Sequence, residues 1–166
     1  MRSAIAAGTC ALALILVNVA IADKERLLAH GKIVYLELAP VDPRSLMQGD
    51  YMALRFRIAN DAGTNGLVTD GRPGSADGRI VAAIDERSIA GFRRLDNGQP
   101  LAPDEIALRY RVRGGQVKFA TNAFFFQEGT GGLYETARYG EFRVADNGDM
   151  LLTGLRDGDL RQLGPQ

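Results

Sequence analysis

"EIALRYRVRGGQVKFA", Glu105 to Ala120, is the stretch whose reading decides the fold. Apolar and polar side chains alternate through Arg113, Gly114-Gly115 interrupts them, and the alternation resumes from Gln116. A period of two marks a half-buried strand, and a Gly-Gly joint accepts the positive φ of a two-residue hairpin turn. The same grammar recurs on both sides. "RIVAAID" and "IAGFRRL" flank Glu86-Arg87-Ser88, and "GEFRV" and "DMLLTGL" flank Asp146-Asn147-Gly148. Upstream, "KIVYLEL" aligns Val34, Leu36 and Leu38, and "YMALRFRI" sets Met52, Leu54, Phe56 and Ile58 against Tyr51, Ala53, Arg55 and Arg57. Many short strands at this spacing predict a mainly β domain, a small antiparallel barrel or sandwich. One short helix is expected in it, around Leu133 to Tyr139, and one long irregular loop, Asn60 to Gly78. Ala53–Ile58 echoes Ala107–Val112, which fits either a duplicated half or the convergence of two half-exposed strands.

Before Gly31 the pattern is different. Ser3 to Ala22 contains twenty residues without a charge, and as a helix this reaches roughly 30 Å, about one hydrocarbon core. Arg2 precedes it, which keeps the N-terminus cytoplasmic and carries the rest of the chain outside. Ala20-Ile21-Ala22 also fits a signal-peptidase cut that would release a soluble protein. Against it stand the very short charged region, Met1-Arg2, and the helical "DKERLLAHG" that continues to Gly31. The favoured division is a transmembrane anchor and stalk over residues 1–31 and a periplasmic β-rich domain over residues 32–166.

Composition narrows the chemistry. Twenty basic side chains balance twenty acidic ones among 166 residues, so nucleic-acid binding has no basic excess to start from. Cys10, the single cysteine, lies in the apolar run, which leaves the domain without a disulfide, a thiol nucleophile or a cysteine zinc site. His30 is the single histidine, and it reads as a surface residue rather than part of a relay. Asp146/Asp149 and Asp157/Asp159 lack the spacing of a calcium loop and read as turns. No cofactor or metal is expected.

Gly49-Asp50-Tyr51 is the most distinctive short motif. Pro40 and Pro43 keep the preceding segment extended, Asp42 can accept amides ahead of Pro43, and Gly49 can take a positive φ. "SLMQGD" resembles the tail of the type I signal peptidase motif, but Val41 occupies the position of the nucleophilic serine and cannot attack a carbonyl. Asp42, Asp50 and Glu128 are the candidates for carboxylate catalysis. A polar cluster of Asp50, Glu128, Tyr51 and Arg44 would mark a cleft. Arg55, Arg57, Arg109, Arg111 and Arg113 would make one basic face if their strands are neighbours, either the wet side of a sheet or a surface for lipid headgroups or an acidic partner.

"APVDPRSLMQGDYMALRFRI" resembles the signature of the GDYXXLXY family of bacterial membrane-anchored proteins, with Phe56 where the pattern has tyrosine. "FFFQEGTGGLYETARYGEFRV" is similar to that family's C-terminal half. The resemblance implies a small exported domain on one membrane helix, without an established activity, and a polytopic membrane protein as partner. Its docking residues would come from Asp42, Pro43, Arg44, Gly49, Asp50, Tyr51, Leu54, Phe56, Gln127 and Glu128. The expected function is a non-catalytic accessory domain, and the alternative is a carboxylate enzyme acting on cell-envelope material.

Overall fold

The structure, a computed structural model, describes residues 2–39, 47–48, 51–64, 76–121 and 123–165, without the side chains of residues 2–7, 47, 48 and 76. Helix α1 (Arg2–His30) runs unbroken through Ala22 to Gly31, whose amide donates to the Leu27 carbonyl at 2.9 Å. A Cβ on Gly31 would lie 2.5 Å from that oxygen, so only glycine permits so tight a helix end. Leu27 is buried and the Arg143 guanidinium donates to the Gly31 carbonyl at 3.2 Å, which fixes the helix to the domain. Every side chain from Gly8 to Ile21 is exposed. Among the residues whose side chains are described, which in α1 begin at Gly8, no helix is long and apolar enough to cross a membrane, so the expected transmembrane anchor is not seen as such in the structure.

The expected mainly β domain is present as two antiparallel four-stranded sheets. In the first, β1 (Lys32–Glu37), β9 (Tyr139–Val144), β10 (Met150–Arg156) and β11 (Gln162–Leu163) are neighbours in that order. The second orders β5 (Ala90–Leu95), β4 (Ala76–Ile84), β6 (Glu105–Arg113) and β7 (Gln116–Phe119). A smaller sheet joins β2 (Met47–Gln48), β3 (Tyr51–Ala53) and β8 (Ala123–Phe125). Each four-stranded sheet carries a bulge, at Leu152/Gly154 and at Val81/Ala82, and bulges bend the strand that holds them. The Tyr35 amide donates to the Ser88 carbonyl at 2.9 Å and joins the two sheets at their β1 and β5 edges.

Turn chemistry sets the hairpins. The Asp85 carboxylate accepts the amides of Arg87 and Ile89 at 2.9 and 2.8 Å, closing the β4–β5 turn. Gly114 and Gly115 both take positive φ, 59° and 73°, and register β6 against β7 so that Arg113 faces Gln116 and Arg111 faces Lys118. Asp157 accepts the amides of Asp159 and Arg161, both at 2.9 Å, as a turn residue should. Val34, Leu36, Phe142 and Leu155 from one sheet meet Ile80, Leu108 and Phe119 from the other in a single core. Burying each such side chain contributes about 1.5–3 kcal/mol.

Three local expectations need correction. "YMALRFRI" is not one strand: β3 ends at Ala53, Phe56 makes an isolated bridge to Leu38, and α2 (Arg57–Ala62) follows. The alternation nonetheless survives, with Met52, Leu54, Phe56 and Ile58 all buried. Ile58 belongs to two periods at once, because Ile58 and Ala62 also form the buried i, i+4 face of α2. The irregular loop is correspondingly shorter, since Asn60 lies in α2 and Gly78 in β4; residues 65–75 of it are outside those described. The expected helix near Leu133 is only a 3-10 turn, Gly131–Tyr134, and Tyr139 already begins β9. Two adjacent glycines disfavour a longer helix, and the Tyr134 ring holds the turn by packing against Phe124 and Phe126 at 5.0 and 5.3 Å.

Candidate functional site

The two motifs meet on the β3–β8 pair. Tyr51 stands opposite Phe125, Met52 opposite Phe124 and Ala53 opposite Ala123. The Tyr51 and Phe125 rings lie 5.8 Å apart, tilted by 40°, and Phe125 is 75% exposed. Leu54 and Phe56 sit inside the domain, and the Phe56 ring meets the Phe142 ring edge-on at 5.4 Å. Gly140 makes room for that contact, since a Cβ there would lie 3.0 Å from Phe56 Cε1. Gln127 accepts the Thr130 amide at 3.0 Å and its hydroxyl at 2.6 Å through its backbone carbonyl. Glu128 is exposed on the same turn. Asp42, Pro43, Arg44, Gly49 and Asp50 lie outside the described residues, and with them the expected meeting of Asp50 and Arg44 with Glu128.

Beside Phe125 opens a cleft of about 730 Å³. Among the described residues its walls carry five cationic side chains, Lys24, Arg109, Arg111, Arg113 and Lys118, and one carboxylate, Asp149. Phe124, Phe125 and Leu152 supply apolar lining. Three of the five arginines expected to form a basic face therefore do converge, because they alternate along one face of β6. Arg57 instead pairs with Glu37 at 3.2 Å, and Arg55 lines a different depression with Asn60 and Gln116.

Charge inside the cleft is unevenly compensated. Arg109 pairs with Asp149 at 2.8 Å, and Arg113 pairs with Asp77 at 2.9 Å. No ion pair forms at Lys24, Arg111 or Lys118 among the described residues. Arg111 and Lys118 stand directly opposite each other on β6 and β7, an arrangement in which like charges repel. Beneath them, on the core face of β6, burial raises the Tyr110 hydroxyl above its ordinary pKa, and the Asp77 charge adds to the effect.

Lys24 and Lys118 were not among the expected basic residues, yet one of them was accessible from sequence. A two-residue turn at Gly114-Gly115 fixes Arg111 opposite Lys118 by simple counting outward. Lys24 comes from α1, and no local pattern relates it to β6.

Outside the cleft, one carboxylate is buried within the structure. Glu141 is 7% exposed; it accepts the Arg156 guanidinium at 2.8 Å and the Thr153 hydroxyl at 2.9 Å. The bulge at Thr153 turns that hydroxyl toward it.

Comparison with curated proteins and with solved structures gives no match. Residues 13–155 match the GDYXXLXY protein family, covering the helix end, both motifs and the two sheets apart from β11 and the last residue of β10, and the chain belongs to that family.

Proposed function

We propose that this protein is a membrane-tethered binding domain without catalysis of its own, held by α1 on the periplasmic face of a bacterial inner membrane and docked on a polytopic membrane protein. The observation that carries the reading is the surface of α1. Leu12, Leu14, Ile15 and Leu16 are successive or near-successive residues, they point to different sides of the helix, and they are 58–62% exposed. A helical stretch that is apolar all round and exposed from Gly8 to Ile21 needs another apolar medium. The uncharged run of Ser3 to Ala22 has the length of a hydrocarbon core and is followed by the charged Asp23-Lys24-Glu25-Arg26.

Extraction of native membranes with alkaline carbonate tests the tether. The full chain should stay in the pellet, and the Leu14→Arg/Leu16→Arg double variant should move to the supernatant. Protease added to spheroplasts should digest the β domain while sparing a cytoplasmic N-terminal tag. A wild-type chain released by carbonate, or cut at Ala22, would overturn the tether. Crosslinking in the same membranes tests the docking: one membrane protein recovered near stoichiometry and lost with a folded Asp50→Asn variant is the expected result. A chain that crosslinks to nothing, or hydrolyses envelope material, is not an accessory domain.

A further inference from the structure

We infer that the cationic cleft between α1, β6, β7, β8 and the start of β10 binds the phosphate headgroup of an anionic phospholipid. The inference rests on the tether reading for its choice of lipid over other phosphate sources. The charge argument is independent of it. Among the described residues five cations line the cleft with one carboxylate, and that carboxylate is already held by Arg109. Arg79 and Arg109 are also cross-strand partners of like charge, but each has its own acid, Asp96 and Asp149, both at 2.8 Å. Arg111 and Lys118 have the same repulsive geometry without that relief. Asp77 is the cross-strand partner of Arg111 on its other side, but its carboxylate is engaged by Arg113. A phosphate between Arg111 and Lys118 would convert the repulsion into two charge-assisted hydrogen bonds.

The shape and position of the cleft select the lipid. Its volume, about 730 Å³, suits a headgroup rather than a flat protein surface. A lining that combines cations with Phe124, Phe125 and Leu152 matches an amphiphile with a phosphate and a glycerol–acyl junction. Phe125, 75% exposed, has the form of an interfacial aromatic side chain. Lys24 lies only two residues beyond the end of the uncharged run, so α1 would deliver this wall of the cleft to the headgroup layer.

The test uses the full chain in neutral detergent micelles, where the tether plays no part and its failure cannot be confused with failed binding. Thermal unfolding is followed against dioctanoyl phosphatidylglycerol, dioctanoyl phosphatidylcholine, inorganic phosphate and hexaglutamate. Phosphatidylglycerol should raise the midpoint in a saturable way, and phosphatidylcholine should not. Arg111→Gln and Lys118→Gln should each weaken that response by about tenfold or more. Both variants should keep or slightly raise the midpoint without ligand, because each removes one member of the repelling pair. That combination separates lost binding from lost folding. Equal responses to the two lipids, or an unchanged response in both variants, would overturn the proposal. Equal protection by inorganic phosphate would assign the cleft to a free anion, and protection by hexaglutamate alone would assign it to an acidic protein; either result sinks the lipid reading.

Discussion

The amide of Arg109 donates to the carbonyl of Gly148 at 2.9 Å, and this bond sets the tip of the β9–β10 hairpin on β6. β7 pairs with β6 only from Tyr110 to Arg113, so the edge of β6 before Tyr110 is left open. The hairpin tip covers it, and the Arg109–Asp149 pair reinforces the same junction from the side chains. Sheet edges left open invite pairing with other chains, and this one is closed from within.

Gly148 is the residue that makes the closure possible. Its φ is +86°, and a Cβ on it would lie 3.3 Å from both the Ala107 carbonyl oxygen and the Arg109 nitrogen. Gly148→Ala should therefore cost about 1–2 kcal/mol from the left-handed backbone alone, lowering the thermal midpoint by about 2–8 °C. Gly91→Ala is the matched control, since that glycine has no positive φ and nothing within 4 Å of its Cβ position. Its midpoint should hold or rise slightly. Equal losses in both variants would show that the hairpin tip bears no special constraint.

The Glu141–Arg156–Thr153 cluster yields a second expectation. Glu141 is the one buried charged residue among those described, and two side chains, Thr153 and Arg156, donate to its carboxylate. Glu141→Ala leaves Arg156 half-buried without its carboxylate and should cost about 2–3 kcal/mol. Thr153→Val removes only the hydroxyl and should cost about 1 kcal/mol. Chemical denaturation of the two single variants and the double variant measures their coupling. Strict additivity would mean that the bulge does not serve the carboxylate.

Phe56 carries the third. In this family the pattern places a tyrosine where this chain has Phe56, and here the ring lies wholly in the core against Phe142. Phe56→Ala should cost about 3–5 kcal/mol, whereas Phe56→Leu, which keeps most of the volume, should stay below roughly 1.5 kcal/mol. Denaturant midpoints at unchanged slope are the measurement. If Phe56→Ala folded with full stability but lost the crosslinked protein that the docking proposal expects, the ring would be a docking element and not a core one.

These cases show which features a single sequence makes legible. Hairpins at Gly114-Gly115 and at Asp146-Asn147-Gly148 were readable because the turn chemistry is local and the alternation on either side has one period. α2 was hidden because Ile58 satisfies the strand period before it and the helix period after it. The 3-10 turn at Gly131–Tyr134 was overestimated as a helix because its stabilising contacts, Phe124 and Phe126, lie on another element. Cleft and cluster follow the same rule. Arg109, Arg111 and Arg113 could be grouped by alternation along one strand, whereas Lys24, Asp149 and the Glu141–Arg156 pair depend on which strands become neighbours.

The fourth expectation concerns acid. Asp96 is held below its ordinary 3.8, chiefly because the Gly98 amide donates to it at 2.9 Å, with Arg79 at 2.8 Å adding to this against the opposing effect of burial. Glu105 is held below its ordinary 4.5, chiefly by the Ala102 amide at 3.0 Å, with Arg94 at 3.0 Å adding to it. Both groups give up protons more readily folded than unfolded, so the unfolded chain binds more protons on the acid side and stability rises with pH there. Their contribution is complete above about pH 5 and is lost as the pH falls through the lowered folded values. Thermal melts from about pH 7 down to about pH 3 should show a midpoint that is flat at first and then declines. Asp96→Asn and Glu105→Gln should each lower the midpoint at neutral pH and flatten that decline, because the substituted side chain no longer titrates. A decline equally steep in both variants would place the acid sensitivity elsewhere in the chain.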